Sequence, residues 1–344
     1  MNKRFGILLA QSPFQMLTTA AAAEADGIVI DSAFYLTVTS DLNQTIQLNS
    51  FLSVHFVCLP STRFLVFILI TNAIKIRLKH PFAQFNVYHG AFYVSTWMHL
   101  ITFLVQADTL TFCDDGVSTL LASKQYFSLA EAQKYFYPSK KPLSRFRHFI
   151  YSKLVTHNFQ KKLWFRSIFA SLISLSSHNI RILPNSLQNS LAHTHNIINL
   201  NSSKKALFIS SSLFSSGYID RLSTTKILSA FICESTKRGI VPSYYPHRRE
   251  LEAEVYIARN LGFEILEPIT PIEFFLIHSQ ILPGLISSPG STALFSLSHI
   301  FDEQVNLTSF DIPKSFFLSA AAREWYECVE DACLHYGIPL IPIL

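Results

Sequence analysis

Short apolar runs alternate with helix-patterned stretches over both ends of this chain, and several of those runs stop at a polar motif. Runs of this kind, apolar on both sides, are strands of parallel sheets covered by helices. The run Phe5-Gly6-Ile7-Leu8-Leu9-Ala10-Gln11 is the first. Ser12-Pro13 then opens a helix through Glu24, with serine as cap and proline in the first turn. Strand-like runs recur at 34–38, 51–58, 85–88 and 109–113. From Lys205 the alternation resumes, with strands at 206–212, 242–246, 263–266 and 281–286. Helical patterns lie between them at 224–238 and 250–261, from Thr270-Pro271-Ile272-Glu273 and from Gly290, and a last helix spans 320–336. The simplest architecture is α/β, two Rossmann-like domains with parallel sheets. The expected boundaries are 1–125 for the first domain, 126–204 for a basic linker and 205–344 for the second domain.

The linker differs from its flanks. No Asp or Glu occurs from Ala132 to Ile219, while lysines and arginines recur throughout. Between Leu143 and Ser174 aromatics mix with cations at helix-like spacing, which predicts an amphipathic helix lying on an anionic membrane or packed on its own domain. A surface of one sign attracts lipid head groups, acidic glycans or nucleic acid, and the stretch contains no recognised nucleic-acid module.

Composition narrows the classes further. Apolar residues make up 49% of the 344 and charged residues 15%, enough apolar material for two cores. Five cysteines without CxxC or metal spacing argue against a disulfide-stapled secreted domain. The Ser12-Pro13 break gives the N-terminus no signal-peptide pattern, and the longest apolar run, 64–74, is too short to span a bilayer. The expected location is cytoplasmic, peripheral on the inner face of the plasma membrane. GxGxxG, Walker, HExxH and GxSxG motifs are all missing.

Three strand-to-helix junctions carry chemistry. Asp114-Asp115-Gly116 closes the run at 109–113; it offers a general base or forms a plain Asp-Gly turn. Tyr245-Pro246-His247-Arg248-Arg249-Glu250 follows another run. Three cations at a helix start call for an anion, and a histidine there can serve a leaving phosphate. Ser287-Ser288-Pro289-Gly290-Ser291-Thr292 is the third, a phosphate cradle or a simple Ser/Thr cap.

In that order and spacing the three motifs resemble those of bacterial sialyltransferases, in particular glycosyltransferase family 52 and the related polysialyltransferases. Those carry an acidic-acidic-Gly motif, a His-Pro motif and a Ser/Thr-rich motif. Arg248 stands here where their proline follows the histidine, and Arg249 matches an arginine of family 52. The opening 7–17 and the ending Gly337-Ile338-Pro339-Leu340 are similar as well. The resemblance implies a GT-B fold with two sheets facing across a cleft. It also implies metal-free, inverting transfer of sialic acid from CMP-sialic acid to a lipooligosaccharide or capsule glycan. His247 is then the acid toward the departing phosphate. Arg248, Arg249, Gly290, Ser291 and Thr292 hold the donor. Asp115 or Asp114 is the base, with Asp220, the first acid after the strand at 206–212, as an alternative. No cofactor or metal is expected. Expected partners are the nucleotide sugar, the glycan acceptor and an anionic membrane surface, without nucleic acid; the family also allows a homodimer. Another nucleotide-sugar donor, or a glycan- or lipid-binding protein without activity, are the competing readings.

Overall fold

The structure, a computed structural model, describes residues 3–37, 52, 54–60, 64–90, 96–125, 153–173, 180–187, 201–279 and 281–343. The chain divides into two compact units, Met1–Ser190 and Leu191–Leu344.

The first unit is built on β1 (Arg4–Ala10), β2 (Val29–Thr37), β3 (Val57–Pro60), β4 (Gln84–His89), β5 (Thr109–Cys113), β6 (Lys162–Ser167) and β7 (Ile180–Pro184). They form one parallel sheet in the order β3-β2-β1-β4-β5-β6-β7. Its helices include α1 (Pro13–Ala25), α2 (Leu65–Lys79), α3 (Thr96–Leu104) and α4 (Ser118–Gln125). Strand β1 is buried from Gly6 onward, as its unbroken apolar run requires. Ile7 and Leu9 pack with Phe34, Phe85 and Val87 against α2 and α3. Helix α1 starts as its sequence predicts: Ser12 has extended dihedrals, its hydroxyl accepts from Gln15 N–H at 3.2 Å, and Pro13 follows. Its alanines, 20 to 23, are buried and contribute little bulk, so the helix lies close on the sheet.

The basic stretch is where the sequence reading needs correction. Residues 162–167 are a strand, hydrogen-bonded to β5 on one side and β7 on the other. The first compact unit therefore extends to Ser190 rather than ending at 125. Leu163, Phe165 and Ser167 alternate with Lys162, Trp164 and Arg166 in burial, a period of two that the aromatic-rich pattern disguised as a helix. Arg166 is drawn inward: its Nε donates to Asp26 Oδ1 at 3.0 Å, and Tyr88 donates to the other carboxylate oxygen at 2.8 Å. Lys161 Nζ donates to the carbonyl of Ala107. Residues 153–159 are helical, as the pattern predicts, and the strand that follows takes Lys162 and Arg166 out of that helix. The remainder of the predicted amphipathic segment, 143–152 with 174, lies outside the described residues.

The second unit repeats the plan with β8 (Asn201–Ile209), β9 (Val241–Tyr245), β10 (Glu264–Ile265), β11 (Ile281–Ser287), β12 (Leu307–Asp311) and β13 (Leu340–Pro342). The sheet is parallel, in the order β10-β9-β8-β11-β12-β13. Its helices are α5 (Arg221–Lys237), α6 (Glu252–Asn260), α7 (Ile272–Ser279), α8 (Ala293–Phe301) and α9 (Ala320–His335). Phe208 anchors an aromatic core: it stacks on Tyr244 at 5.4 Å between centroids and touches Phe231, Phe263 and Phe310. The helix expected from Thr270 begins at Ile272. Glu273 is buried and accepts a hydrogen bond from Ser296 Oγ.

Candidate functional site

In an open parallel sheet, ligands bind beyond the strand C-termini where the strand order reverses. In the first sheet that point lies between β1 and β4. Gln15 sits there, buried in the first turn of α1. Its Oε1 accepts from Gln11 N–H and its Nε2 donates to Asp115 Oδ1, both at 2.7 Å. The first bond fixes which end of the amide faces Asp115. Gly90, just past β4, makes room: a Cβ on it would lie 2.5 Å from Gln15 Cβ. Asp115 is half-buried, and its N–H donates to Thr119 Oγ1 at 2.9 Å. Gly116 takes the next position with φ +74°, completing the turn.

The two carboxylates of this motif have different work. Asp114 is fully buried. Its Oδ1 accepts from Ser167 Oγ and its Oδ2 from Ile168 N–H at 2.7 Å, so it ties the end of β5 to the end of β6. Burial pushes its carboxyl up to about 7 against those two bonds. Asp114 is a structural carboxyl, and Asp115 is the one placed at the switch point.

In the second sheet the order reverses between β8 and β11. The segment after β8 (210–217), the turn after β9 and the loop after β11 (288–292) emerge at this edge. His247 does not open a helix, because α6 begins only at Glu252. Residues 247–250 form a turn of their own. Glu250 N–H donates to the His247 carbonyl at 2.9 Å, and Glu250 Oε2 accepts from His247 N–H at 2.7 Å. Arg249 N–H donates to His247 Nδ1 at 3.2 Å. That bond assigns the ring hydrogen of a neutral imidazole to Nε2. Arg248 is half-buried and Arg249 exposed on the same turn. The positive end of α6 faces its own Glu252 and Glu254 instead of the three cations.

Under the turn lies a carboxyl pair that motif reading passed over. Tyr244 donates its hydroxyl to Glu250 Oε1. Glu254 Oε2 accepts from Ser215 N–H at 3.1 Å and from Ser215 Oγ at 2.6 Å, and Ser215 Oγ accepts from Leu251 N–H. Burial, then the nearby Glu254, pushes Glu250 up to about 8; burial raises Glu254 as well. The two glutamates thereby lash the His247 turn to the segment after β8.

The hydroxyl-rich junction is largely satisfied by itself. Ser288 Oγ accepts from Ser291 N–H at 3.0 Å and Ser291 Oγ from Ala293 N–H at 3.2 Å. Thr292 is the residue before α8 and makes no side-chain cap. Gly290 has φ +138°, and a Cβ there would lie 2.6 Å from Trp325 Cη2, so packing on α9 also demands glycine. Asp220 caps α5: its Oδ1 accepts from Ser223 N–H at 2.7 Å, and that bond holds its carboxyl below the usual range. Among the described residues no group of three or more His, Cys, Asp or Glu is arranged to hold a metal ion. Gln15, Gly90, Glu250 and Glu254 are the additions of the tertiary structure. One signal was available for Gln15: Ser12 and Gln15 have the S-x-x-Q spacing of a capping box, whose fourth residue turns back toward the helix start.

Two Rossmann-like units with these strand orders define a GT-B type of fold. No protein-family model matches the chain, and no curated protein is similar to it in sequence. Solved structures do align. A 2,6-sialyltransferase of Photobacterium sp. JT-ISH-224, in a ternary complex with CMP and lactose, gives a TM-score of 0.53 at 9% identity, over 98% of this chain and 78% of that one. The UDP-GlcNAc 2-epimerase of Methanocaldococcus jannaschii gives 0.51 at 10%, over 95% and 92%. An enzyme of Listeria monocytogenes described as a UDP-N-acetylglucosamine 2-epimerase gives 0.52 at 11%, over 98% and 88%. At such identities the likeness is one of fold.

Proposed function

We propose that the protein is an inverting glycosyltransferase that moves sialic acid from CMP-sialic acid to a sugar hydroxyl of a cell-surface glycan, without a metal. The observation that carries this reading is the pair of strand-end sites. Asp115 is oriented by Gln15 at one switch point, and His247 stands on a cationic turn near the other. The order of the three motifs and the fold shared with a sialyltransferase support it. In this reading Asp115 takes the proton of the acceptor hydroxyl as its oxygen bonds the anomeric carbon. The bond from that carbon to the CMP phosphate breaks, and the electron pair leaves on the phosphate. His247 keeps its proton and hydrogen-bonds a leaving phosphate oxygen through Nε2–H, while Arg248, Arg249 and the Ser291–Thr292 loop balance its charge. Asp220 is the weaker candidate base, since capping already explains it.

A second reading keeps the chemistry and changes the donor, because the same fold serves proteins that act on UDP-GlcNAc. Calorimetry with CMP, UDP and a non-hydrolysable CMP-sialic acid analogue, with no metal added, separates the two. CMP and its analogue are expected to bind, and His247→Ala and Arg249→Ala to abolish binding. Preference for UDP moves the assignment to another nucleotide sugar. Absence of binding by any of the three leaves a glycan- or lipid-binding protein without transfer activity.

A further inference from the structure

Helix α2 is apolar on two sides. Leu69, Ala73 and Ile76 are buried against Trp97, Met98 and Ile101. A second series, Phe64, Phe67, Thr71, Ile74 and Leu78, repeats at spacings of three and four and so stacks along the opposite face. That face is turned outward. Phe67 is 69% exposed, Leu78 76% and Phe82, just past the helix, 86%, while Phe64, Val66 and Ile74 are exposed by half or more. Single exposed apolar residues are ordinary, but this many on one helix and its flanks mark a contact surface.

The charge carried by helix α2 itself has one sign. Helix α2 bears Lys75, Arg77 and Lys79 and no acid, and neither Asp nor Glu occurs from Leu42 to Ala107. Lys75 is exposed beside the ridge, and Lys79 keeps 64% of its side chain exposed while it pairs with Asp31. Arg77 is turned inward to the carbonyls of Ala83 and Gln106. Among the described residues no helix is long and apolar enough to cross a membrane. A short helix with exposed phenylalanines and leucine, edged by lysines, suits the headgroup boundary of a bilayer.

We infer that the outer face of α2 seats the protein on an anionic phospholipid surface, with Phe64, Phe67, Leu78 and Phe82 entering the acyl boundary and Lys75 and Lys79 at the phosphates. The inference does not rest on the transferase reading.

The test is co-sedimentation of the full chain with phosphatidylcholine vesicles and with phosphatidylcholine–phosphatidylglycerol vesicles. Binding is expected with the anionic vesicles and is weakened by salt. Phe67→Ser with Leu78→Ser lowers partitioning by about tenfold or more. Lys75→Glu lowers it on anionic vesicles. A Phe67→Trp variant gives an independent readout: its emission shifts to shorter wavelength on anionic vesicles. The inference is overturned if the wild-type chain sediments with neither vesicle and the tryptophan emission does not move. It is equally overturned if light scattering finds a dimer that Phe67→Ser with Leu78→Ser dissolves while vesicle binding is unchanged, because a second copy then covers the ridge.

Discussion

At the scale of single residues, the first switch point depends on two side chains and one missing side chain. Gln15 bridges Gln11 and Asp115, and only glycine at position 90 lets β4 end beside it. Gly90→Ala drives a methyl against the Gln15 stem, and the expected loss is about 1–3 kcal/mol of unfolding free energy in urea titrations. Gln15→Ala removes the donor that orients Asp115. Under the transferase reading it lowers kcat by about tenfold or more while CMP affinity stays unchanged, and an equal loss in both would refute an orienting role. Asp220 gives a third contrast. Asp220→Asn keeps a side-chain oxygen for Ser223 N–H, so the thermal midpoint and transfer both persist; loss of transfer with an intact midpoint would make it the base.

At the scale of elements, the His247 turn hangs on Glu250. Its carboxyl caps His247 N–H and receives the Tyr244 hydroxyl, and burial beside Glu254 raises its pKa, which favours the protonated form. Glu250→Gln is close in shape to the protonated form and keeps an acceptor for His247 N–H. Glu250→Ala leaves that N–H and the Tyr244 hydroxyl without their partner. Nitrogen NMR of the His247 ring is expected to report a single Nε2–H tautomer in the wild type and the glutamine variant, and a mixture in the alanine variant. An unchanged tautomer in a folded alanine variant would show that Glu250 does not order the turn. Much at this scale was legible beforehand. The Ser12–Pro13 start of α1 and the strand at 109–113 follow from local rules. The strand β6 was not legible, because Lys162-Leu163-Trp164-Phe165-Arg166-Ser167 fits a helix and a strand equally well until a neighbouring strand supplies hydrogen bonds.

At the scale of the whole molecule, buried titratable groups pull stability in opposite directions with pH. His89 of β4 and His99 of α3 lie 5.0 Å apart between ring centres and are buried, which lowers both, His99 to about 3. The unfolded chain protonates them near pH 6.5, so their contribution is present above about pH 6.5 and is lost as pH falls. Asp114 acts in the other sense. Its folded value near 7 exceeds the unfolded value, so its protonated form favours the fold at low pH and that contribution is lost as pH rises through about 7. Glu250 does the same up to about 8. Asp114→Asn is therefore expected to steepen the rise of stability between about pH 4 and 6.5, by on the order of 1.4 kcal/mol per unit at most. Urea titrations of both proteins across that range check it, and parallel profiles would show that Asp114 is ionised in the fold.

The class of fold follows from local pattern. Apolar runs bounded by caps and turns fix strands and helices locally, and their alternation admits few arrangements besides parallel sheets. The sequence by itself also placed the three polar motifs at strand ends, because a polar residue that closes an apolar run must leave the core. Tertiary structure alone decided what each polar group does there. Asp114 and Asp115 are neighbours of identical chemistry, yet one is spent on Ser167 and Ile168 and the other is held by Gln15. Glu250 reads as one more charge in a cationic run until Tyr244 and Glu254 enclose it. The outer stripe of α2 looks like core in sequence, since only the packing of the chain shows which apolar face found a partner. These distinctions depend on contacts between residues far apart in the chain, which no local pattern encodes.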